Sequence, residues 1–376
     1  MKLHETAIVE RAILAQLIES RRDPDEAADS LAELARLADT AGIAAAGQVT
    51  QRRQHPDGGT LFGAGKVADL REALQAADAN IALFDNELTA IQAHQLIGAL
   101  GVRVMDRTEV ILQIFARRAR SAEAQAQVEL AQLQFLLSRI PETEAQQRFK
   151  GGIGMKGPGE SRLQLRNAPM RRRVVELKKR IEAIRAQAAR TRQKRSWPVV
   201  SLVGYTNAGK STLLNALSGA EAYVDDRLFA TLDTKTRLLW LGSGRKVLLT
   251  DTVGFIRNLP HDLVASFRST LDVAVNADLL LVVVDASHPR VGDHLDVCRR
   301  TLAEIGAGAV PSLVVLNKCD AGEAREPVAH LAERVPHAIP VSAKTGYGLE
   351  TLKLAIVEEL KRCCTLWQLP SATSAT

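Results

Sequence analysis

Residues 199–212 read Val-Val-Ser-Leu-Val-Gly-Tyr-Thr-Asn-Ala-Gly-Lys-Ser-Thr. An apolar run from Val199 to Val203 ends at Gly204, and Gly209, Lys210 and Ser211 come next after a short interval. Leu213, Leu214, Ala216 and Leu217 then give a helical pattern. This is a G-x-x-x-x-G-K-[ST] phosphate loop in the context such a loop needs, a strand before it and a helix after it. The glycines let backbone N–H groups close round a β-phosphate, which also sits on the positive end of the helix. In that arrangement Lys210 reaches the β- and γ-phosphates and Ser211 holds a Mg²⁺ ion. A glycine turn with an ordinary surface lysine would give the same pattern, so the downstream sequence has to decide.

Three downstream segments do so. Asp251-Thr252-Val253-Gly254 follows the strand-like run 246–250. It suits a carboxylate that reaches Mg²⁺ through water and a glycine amide that senses the γ-phosphate. Asn317-Lys318-Cys319-Asp320 follows the apolar run 313–316. There Asp320 can accept hydrogen bonds from both N1–H and the exocyclic amino group of guanine, a donor pair that adenine lacks. Ser342-Ala343-Lys344 follows the run 338–341 and would offer a backbone amide to guanine O6. Each segment is weak alone. In this order, at the strand ends of one α/β sheet, they specify a guanine-nucleotide-binding domain.

Between the phosphate loop and Asp251 lies Leu228-Phe229-Ala230-Thr231-Leu232-Asp233, followed by Thr234 and Thr236. A threonine here is expected to bind Mg²⁺ with GTP present and to release on hydrolysis, which makes the segment a switch. Thr231 is the candidate; the alternative is an ordinary threonine where a strand begins. The expected nucleotide site is therefore Gly204-Tyr205-Thr206-Asn207-Ala208-Gly209-Lys210-Ser211-Thr212, the switch residues Phe229 to Asp233, and the three segments above. Ser211 and Thr231 are the metal ligands.

Many GTPases carry a glutamine just after the D-x-x-G glycine to orient the attacking water. Here Phe255 and Ile256 follow, and neither can orient water. Intrinsic hydrolysis is expected to be slow, so that a partner or an ion completes the site. Asn207 could hold a monovalent cation such as K⁺, whose charge between the phosphates would do what an arginine finger does elsewhere; equally, it could only stabilise the turn. Lys210, Thr231 and Asn207 are the candidate catalytic residues.

Residues 1–110 alternate strand and helix signals: strands at 4–11, 42–53, 80–85 and 102–105, helices at 25–38, 66–77 and 88–100. Such alternation predicts a small, largely parallel α/β domain. Within it, Gly58-Gly59-Thr60-Leu61-Phe62-Gly63-Ala64-Gly65-Lys66 opens a helix and could cradle phosphate, or could be turn chemistry between strand and helix. Residues 111–196 read as two long helices with narrow apolar stripes, an antiparallel hairpin. Its tip is the glycine-rich loop 150–161. From Arg171 to Arg195 eleven basic residues face only Glu176 and Glu182, so the arm is either a nucleic-acid probe or a solvated charged face. The G domain spans 197–362 with a doubly wound, parallel-type sheet, and 363–376 is a short tail.

Composition sets the outer bounds. The 376-residue chain has a net charge of +6, a modest pointer to a polyanionic partner. Its longest apolar run, 279–284, is strand-sized rather than membrane-spanning. The four cysteines show no C-x-x-C spacing and the N-terminus shows no signal-peptide pattern. A reduced, cytoplasmic protein is the expectation.

The segments 204–212, 228–233, 251–255 and Gly151-Gly152-Ile153-Gly154 with Gly157-Pro158-Gly159-Glu160 resemble the HflX GTPases, a branch of the translation-factor class related to Obg. The stretch 58–66 is similar to that family's N-terminal domain. The resemblance implies a cytoplasmic GTP hydrolase, for which the residue reading above supplies Mg²⁺ and, through Asn207, K⁺ as expected ions. It also implies binding to the large ribosomal subunit and its rRNA, and splitting or rescue of stalled ribosomes under stress. Nothing in the sequence points to an obligate dimer, so a monomer is expected, and peripheral membrane association stays open. The arm would reach rRNA near the peptidyl-transferase centre. Two other readings stay open: an RNA-remodelling factor with an ATP site in the N-terminal domain, and a regulatory GTP switch acting on a protein. The chain departs from the family at Leu163 to Met170, where carboxylates are missing and Pro169 is expected to break the start of the second arm helix.

Overall fold

The computed structural model describes residues 10–140, 159–192, 197–219, 228–229, 231–242, 245–257, 268–321, 335 and 337–364. The chain divides into two compact units, Met1–Arg117 with Ala126–Arg180, and Arg118–Gln125 with Ile181–Thr376. The expected boundary at 110 falls inside a helix, and the segment 111–196 is shared by both units. Among the described residues no helix is long and apolar enough to cross a membrane.

The first unit is built from β1 (Arg11–Glu19), α1 (Pro24–Thr40), β2 (Ala44–Arg53), α2 (Ala64–Ala76), β3 (Ile81–Phe84), α3 (Ala90–Leu100), β4 (Arg103–Asp106) and α4 (Arg107–Arg118). Its four parallel strands take the order β2-β1-β3-β4. Of the strand expected at 4–11, residues 4–9 lie outside the described set; the first described strand runs from Arg11 to Glu19, further along than expected. Its run Ala-Ile-Leu-Ala-Gln-Leu-Ile is buried almost throughout, as a central parallel strand covered on both faces must be. Thr89 starts α3 with a capping box to Gln92, and Gly101 closes it in the left-handed region.

In a sheet of this order the ligand crevice lies outside the carboxyl ends of β1 and β3, where the winding reverses. Here buried side chains fill that place. Arg107 donates to Asp85 at 2.7 Å and to Glu33, while Gln16 and Ser30 donate to the other Asp85 oxygen at 3.0 and 2.6 Å. The glycine segment does not present its amides outward either: Gly59 N–H and Thr60 N–H both donate to Asp57, at 2.8 and 3.0 Å. Lys66 pairs with Asp69. The structure thus favours turn chemistry over a phosphate cradle at 58–66. Arg107→Met would strand Asp85 and Glu33 as buried charges, and is expected to destabilise this unit by about 3–5 kcal/mol. A fall in the denaturant midpoint of its unfolding transition would show it.

Two further helices belong to the middle of the chain, α5 (Ala122–Ser138) and α6 (Gly159–Arg192). Two expectations are corrected here. Gly159, Glu160 and Ser161 form the first turn of α6 rather than part of the tip loop, whose residues 150–158 lie outside the described set. Pro169 does not break the helix either, which runs through it. Proline removes one helical hydrogen bond and crowds the preceding turn; at an exposed position of a 34-residue helix, water can serve the freed carbonyl.

The second unit carries β5 (Val199–Gly204), α7 (Lys210–Ser218), β6 (Lys235–Trp240), β7 (Lys246–Asp251), α8 (Arg268–Val275), β8 (Leu279–Asp285), α9 (Val291–Glu304), β9 (Ser312–Asn317), β10 (Ile339–Pro340) and α10 (Leu349–Cys363). The order is β10-β9-β8-β5-β7-β6. All neighbours are parallel except β6, which pairs antiparallel with β7. A short turn at Gly242 (φ +80°) joins those two, and a connection that short permits only an antiparallel pair. One core cluster packs Val200, Leu202, Leu249, Leu281 and Val283 against Leu213, Leu217, Leu352 and Ile356 of the helices. This is the α/β, doubly wound P-loop architecture expected for the G domain.

Candidate functional site

The phosphate loop leaves β5 at the point where the winding of the second sheet reverses, with β7 on one side and β8 on the other. The turn demands its glycines. Gly204 has φ +151°, and a Cβ there would lie 2.1 Å from the Val283 carbonyl oxygen. Gly209 begins α7 at φ +85°, and a Cβ would lie 2.3 Å from Asn317 Nδ2. Asn207, at the crest of the loop, also has positive φ (+60°), and its side chain is exposed.

Three residues distant in sequence converge below the loop. Asp251 Oδ2 accepts from Ser211 Oγ at 2.6 Å and from Thr231 Oγ1 at 3.0 Å, and the two hydroxyls lie 2.9 Å apart. Asp251 is fully buried, and its Oδ1 has no hydrogen-bond partner. A buried carboxylate oxygen left over beside two hydroxyls is an all-oxygen donor set, which suits Mg²⁺. Among the described residues no cluster of His, Cys, Asp and Glu offers a competing metal site. Lys210 folds back onto the loop, donating to the Gly204 and Tyr205 carbonyls at 3.1 and 2.8 Å. Burial pushes its ammonium below the usual lysine range, against the pull of Asp251.

The base-reading segments are tied to the loop by one side chain. Asn317 Nδ2 donates to Ala208 O at 2.9 Å, while its Oδ1 accepts from Ala343 N–H at 3.0 Å. Lys318, at φ +65°, donates to Asp285 at 2.7 Å. Burial raises the Asp285 pKa, but the bonds from Lys318 and Ser287 outweigh it and hold the carboxyl below the ordinary range. Cys319 Sγ donates to Leu316 O, the Ser342 hydroxyl accepts from Thr345 N–H, and Asp320 and Lys344 stay exposed beside them. Asp285 was not among the expected site residues. Its position at the carboxyl end of an apolar strand next to the Asn317 segment was the available signal.

The switch segments are stitched to the loop as well. Gly254 leaves no room for a side chain, since a Cβ would stand 2.8 Å from Thr206 Cα. Phe255 N–H donates to Gly204 O at 2.9 Å, Thr206 N–H donates to Phe255 O at 2.7 Å, and the phenyl ring is buried. Thr252 Oγ1 donates to Leu202 O at 2.7 Å, and Val253 is buried beside it. Tyr205 stacks on His294 with centroids 4.0 Å apart, and its hydroxyl accepts from Arg257 N–H at 3.0 Å. His294 and Arg257 were also missed; no motif marks either. Phe229 and Leu232 are buried, Thr212 is half-buried, and Ala230 lies outside the described residues. Asp233 is directed elsewhere: it accepts from Ser121 Oγ, Ser121 N–H and Arg120 N–H, at the start of α5.

Comparison with known proteins agrees with this geometry. Residues 28–116 match a family described as GTP-binding GTPase N-terminal, 118–195 its middle region, and 199–318 the 50S ribosome-binding GTPase family. The GTPase HflX of Caldanaerobacter subterraneus subsp. tengcongensis is 45% identical over 359 residues, covering 93% of this chain and 81% of the relative. That of Escherichia coli is 41% identical over 356 residues, covering 93% and 83%. Among solved structures, a complex of SsGBP with GDP aligns with a TM-score of 0.51 at 25% identity, over 94% of this chain and 99% of the other. Identity at this level over more than nine-tenths of the chain, with family matches in both units, makes the chain a member of the HflX family of GTPases.

Proposed function

We propose that this GTP hydrolase works on the large ribosomal subunit, with GTP ordering its switch and so setting its hold on the ribosome, and that it splits or rescues stalled ribosomes under stress. The observation that carries the switch reading is the contact of Thr231 with both Ser211 and Asp251. It brings a residue of the expected switch into the same cluster as the phosphate-loop serine. Ser211 and Thr231 would hold Mg²⁺, with Asp251 positioned to bond its water. When bound, the ion supplies charge stabilisation at the phosphates.

Lys210 exchanges its two loop carbonyls for β- and γ-phosphate oxygens and neutralises charge that develops on them. Gly254 admits the γ-phosphate close to its amide. Phe255 is buried and cannot orient water, which supports the view that the attacking water is positioned by something outside the G domain. The match of 199–318 to a ribosome-binding family supports the large subunit as that partner. Asn207, exposed on the crest of the loop, is the proposed ligand for a K⁺ ion between the phosphates.

The test is GTP turnover with and without purified large subunits, in potassium and then in sodium buffer. The expected result is stimulation of roughly a hundredfold or more by subunits in potassium, with most of it lost in sodium. No stimulation in either buffer would sink the ribosome reading. Equal stimulation in both would remove Asn207 as a cation ligand.

A further inference from the structure

Past Phe255 the chain keeps its place beside the phosphate loop through a tyrosine hydroxyl. Tyr205 Oη accepts from Arg257 N–H at 3.0 Å, two residues beyond the bonds that Phe255 makes with Gly204 and Thr206. Both residues are buried. A buried N–H without an acceptor is costly, so the hydroxyl is what lets this backbone lie against the loop. Helix α9 holds the two partners of that bond with consecutive residues of its first turn. Asp293 accepts from the Arg257 guanidinium at 3.3 Å. His294, itself buried, lies on the Tyr205 ring with centroids 4.0 Å apart and planes 4° from parallel. The His288 ring centroid is 4.2 Å from that of His294, and His288 Nδ1 accepts from Arg290 N–H at 3.1 Å just ahead of the helix.

A leucine on α9 would fill the same space. What a flat ring adds is direction: Tyr205 cannot swing about χ1 without leaving the stack, so its hydroxyl stays on the Arg257 amide. Gly254 lies between the ties of this segment to β5 and the loop. Thr252 bonds Leu202 on one side of it, and Phe255 and Arg257 bond the loop on the other. A donor aimed at developing charge accelerates a reaction only as far as it is held in place beforehand. With Phe255 where a glutamine would orient water, hydrolysis depends the more on where the Gly254 amide stands.

We infer that His294 is a positioning residue for GTP hydrolysis: stacked on Tyr205, it keeps that hydroxyl on the Arg257 amide and so fixes Gly254 beside the γ-phosphate. The inference rests on the reading of Gly254 as the γ-phosphate contact, and it is independent of the ribosome. GDP has no γ-phosphate, so the arrangement acts on hydrolysis and leaves GDP binding alone.

Single-turnover GTP hydrolysis by the full chain, without ribosomes, is measured beside GDP affinity. Tyr205→Phe removes one oxygen and keeps the ring and its stack. It is expected to slow hydrolysis roughly tenfold, with GDP affinity and the half-saturating GTP concentration unchanged. His294→Ala is expected to do the same, and His294→Phe, which restores a flat ring, to recover most of the rate. Wild-type rates in Tyr205→Phe and His294→Ala overturn the inference. So does a parallel loss of rate and GDP affinity, the mark of packing alone. A His294→Phe protein as slow as His294→Ala overturns it too, since the effect would then belong to the imidazole nitrogens. Amide hydrogen exchange over 251–257, with GDP and with a β,γ-imido analogue of GTP, tells the two possible failures apart. Protection by the analogue in the wild type, with wild-type rates in the variants, removes His294 and leaves the Gly254 reading standing. Equal exchange with both nucleotides in the wild type removes the Gly254 reading, and the inference falls with it.

Discussion

Replacing Asp320 by asparagine is expected to lower GTP affinity by roughly a thousandfold or more and to create affinity for xanthosine triphosphate. A carboxylate is a pure acceptor and matches the two donors on the guanine edge, N1–H and the 2-amino group. The asparagine amide offers one acceptor and one donor. Against guanine its N–H would confront another donor, leaving both unpaired in a confined site. Xanthine carries an oxygen where guanine carries the amino group, so the amide meets a complementary edge. Asp320 is exposed just beyond β9, which ends at Asn317, so the substitution leaves the fold intact. Its neighbour differs: Asn317 ties Ala208 to Ala343, and changing it would loosen the phosphate loop itself. Competition of GDP and xanthosine diphosphate against a fluorescent nucleotide gives the measurement. Unaltered GDP affinity would show that Asp320 does not read the base.

Gly204→Ala is expected to unfold the second unit or to cost it more than about 4 kcal/mol. The added Cβ would stand 2.1 Å from the Val283 carbonyl oxygen. That oxygen is backbone on β8, which is paired to β5 through Val200 to Gly204, so relief requires parting the two central strands. Positive φ adds strain of its own. Gly219→Ala is the control: its φ of +65° lies in the left-handed region that other residues enter at modest cost, nothing lies within 4 Å of the added atom, and a loss of about 1 kcal/mol is expected. Urea unfolding of both variants with GDP present separates the outcomes. A Gly204→Ala protein within 1 kcal/mol of the control would mean that the loop packs differently against β8.

The G domain was legible because its motifs are punctuation. Each sits at the end of a short apolar run, and strand ends at one sheet edge are where such residues have to gather, as Ser211, Thr231 and Asp251 do. What stayed hidden had non-local causes. Nothing around Ala12 to Ile18 alternates, because β1 is buried on both faces, and a short run of that kind reads equally well as helix. Pro169 looked like a stop, but a long helix with an exposed proline tolerates one missing bond. The Asp57 turn, which occupies the amides of Gly59 and Thr60, cannot be told from a phosphate cradle by glycine spacing alone. Asp233 sits inside the expected switch, yet its partners lie far upstream, and no local pattern could name them.

That last contact has a consequence for how the chain is made. Asp233 accepts from the backbone N–H of Ser121, 112 residues earlier, and Ser121 in turn caps α5 by accepting from Ala124 N–H. Residues 118–125 belong to the second unit, whereas 126–180 belong to the first. A ribosome extending the chain at about 5–20 residues per second therefore delivers the start of α5 roughly 6–20 s before the carboxylate that holds its cap residue exists. The first unit is complete in sequence before the second can gather its own N-terminal piece. Asp233 is thus the late-arriving group that ties down a helix start synthesised long before it.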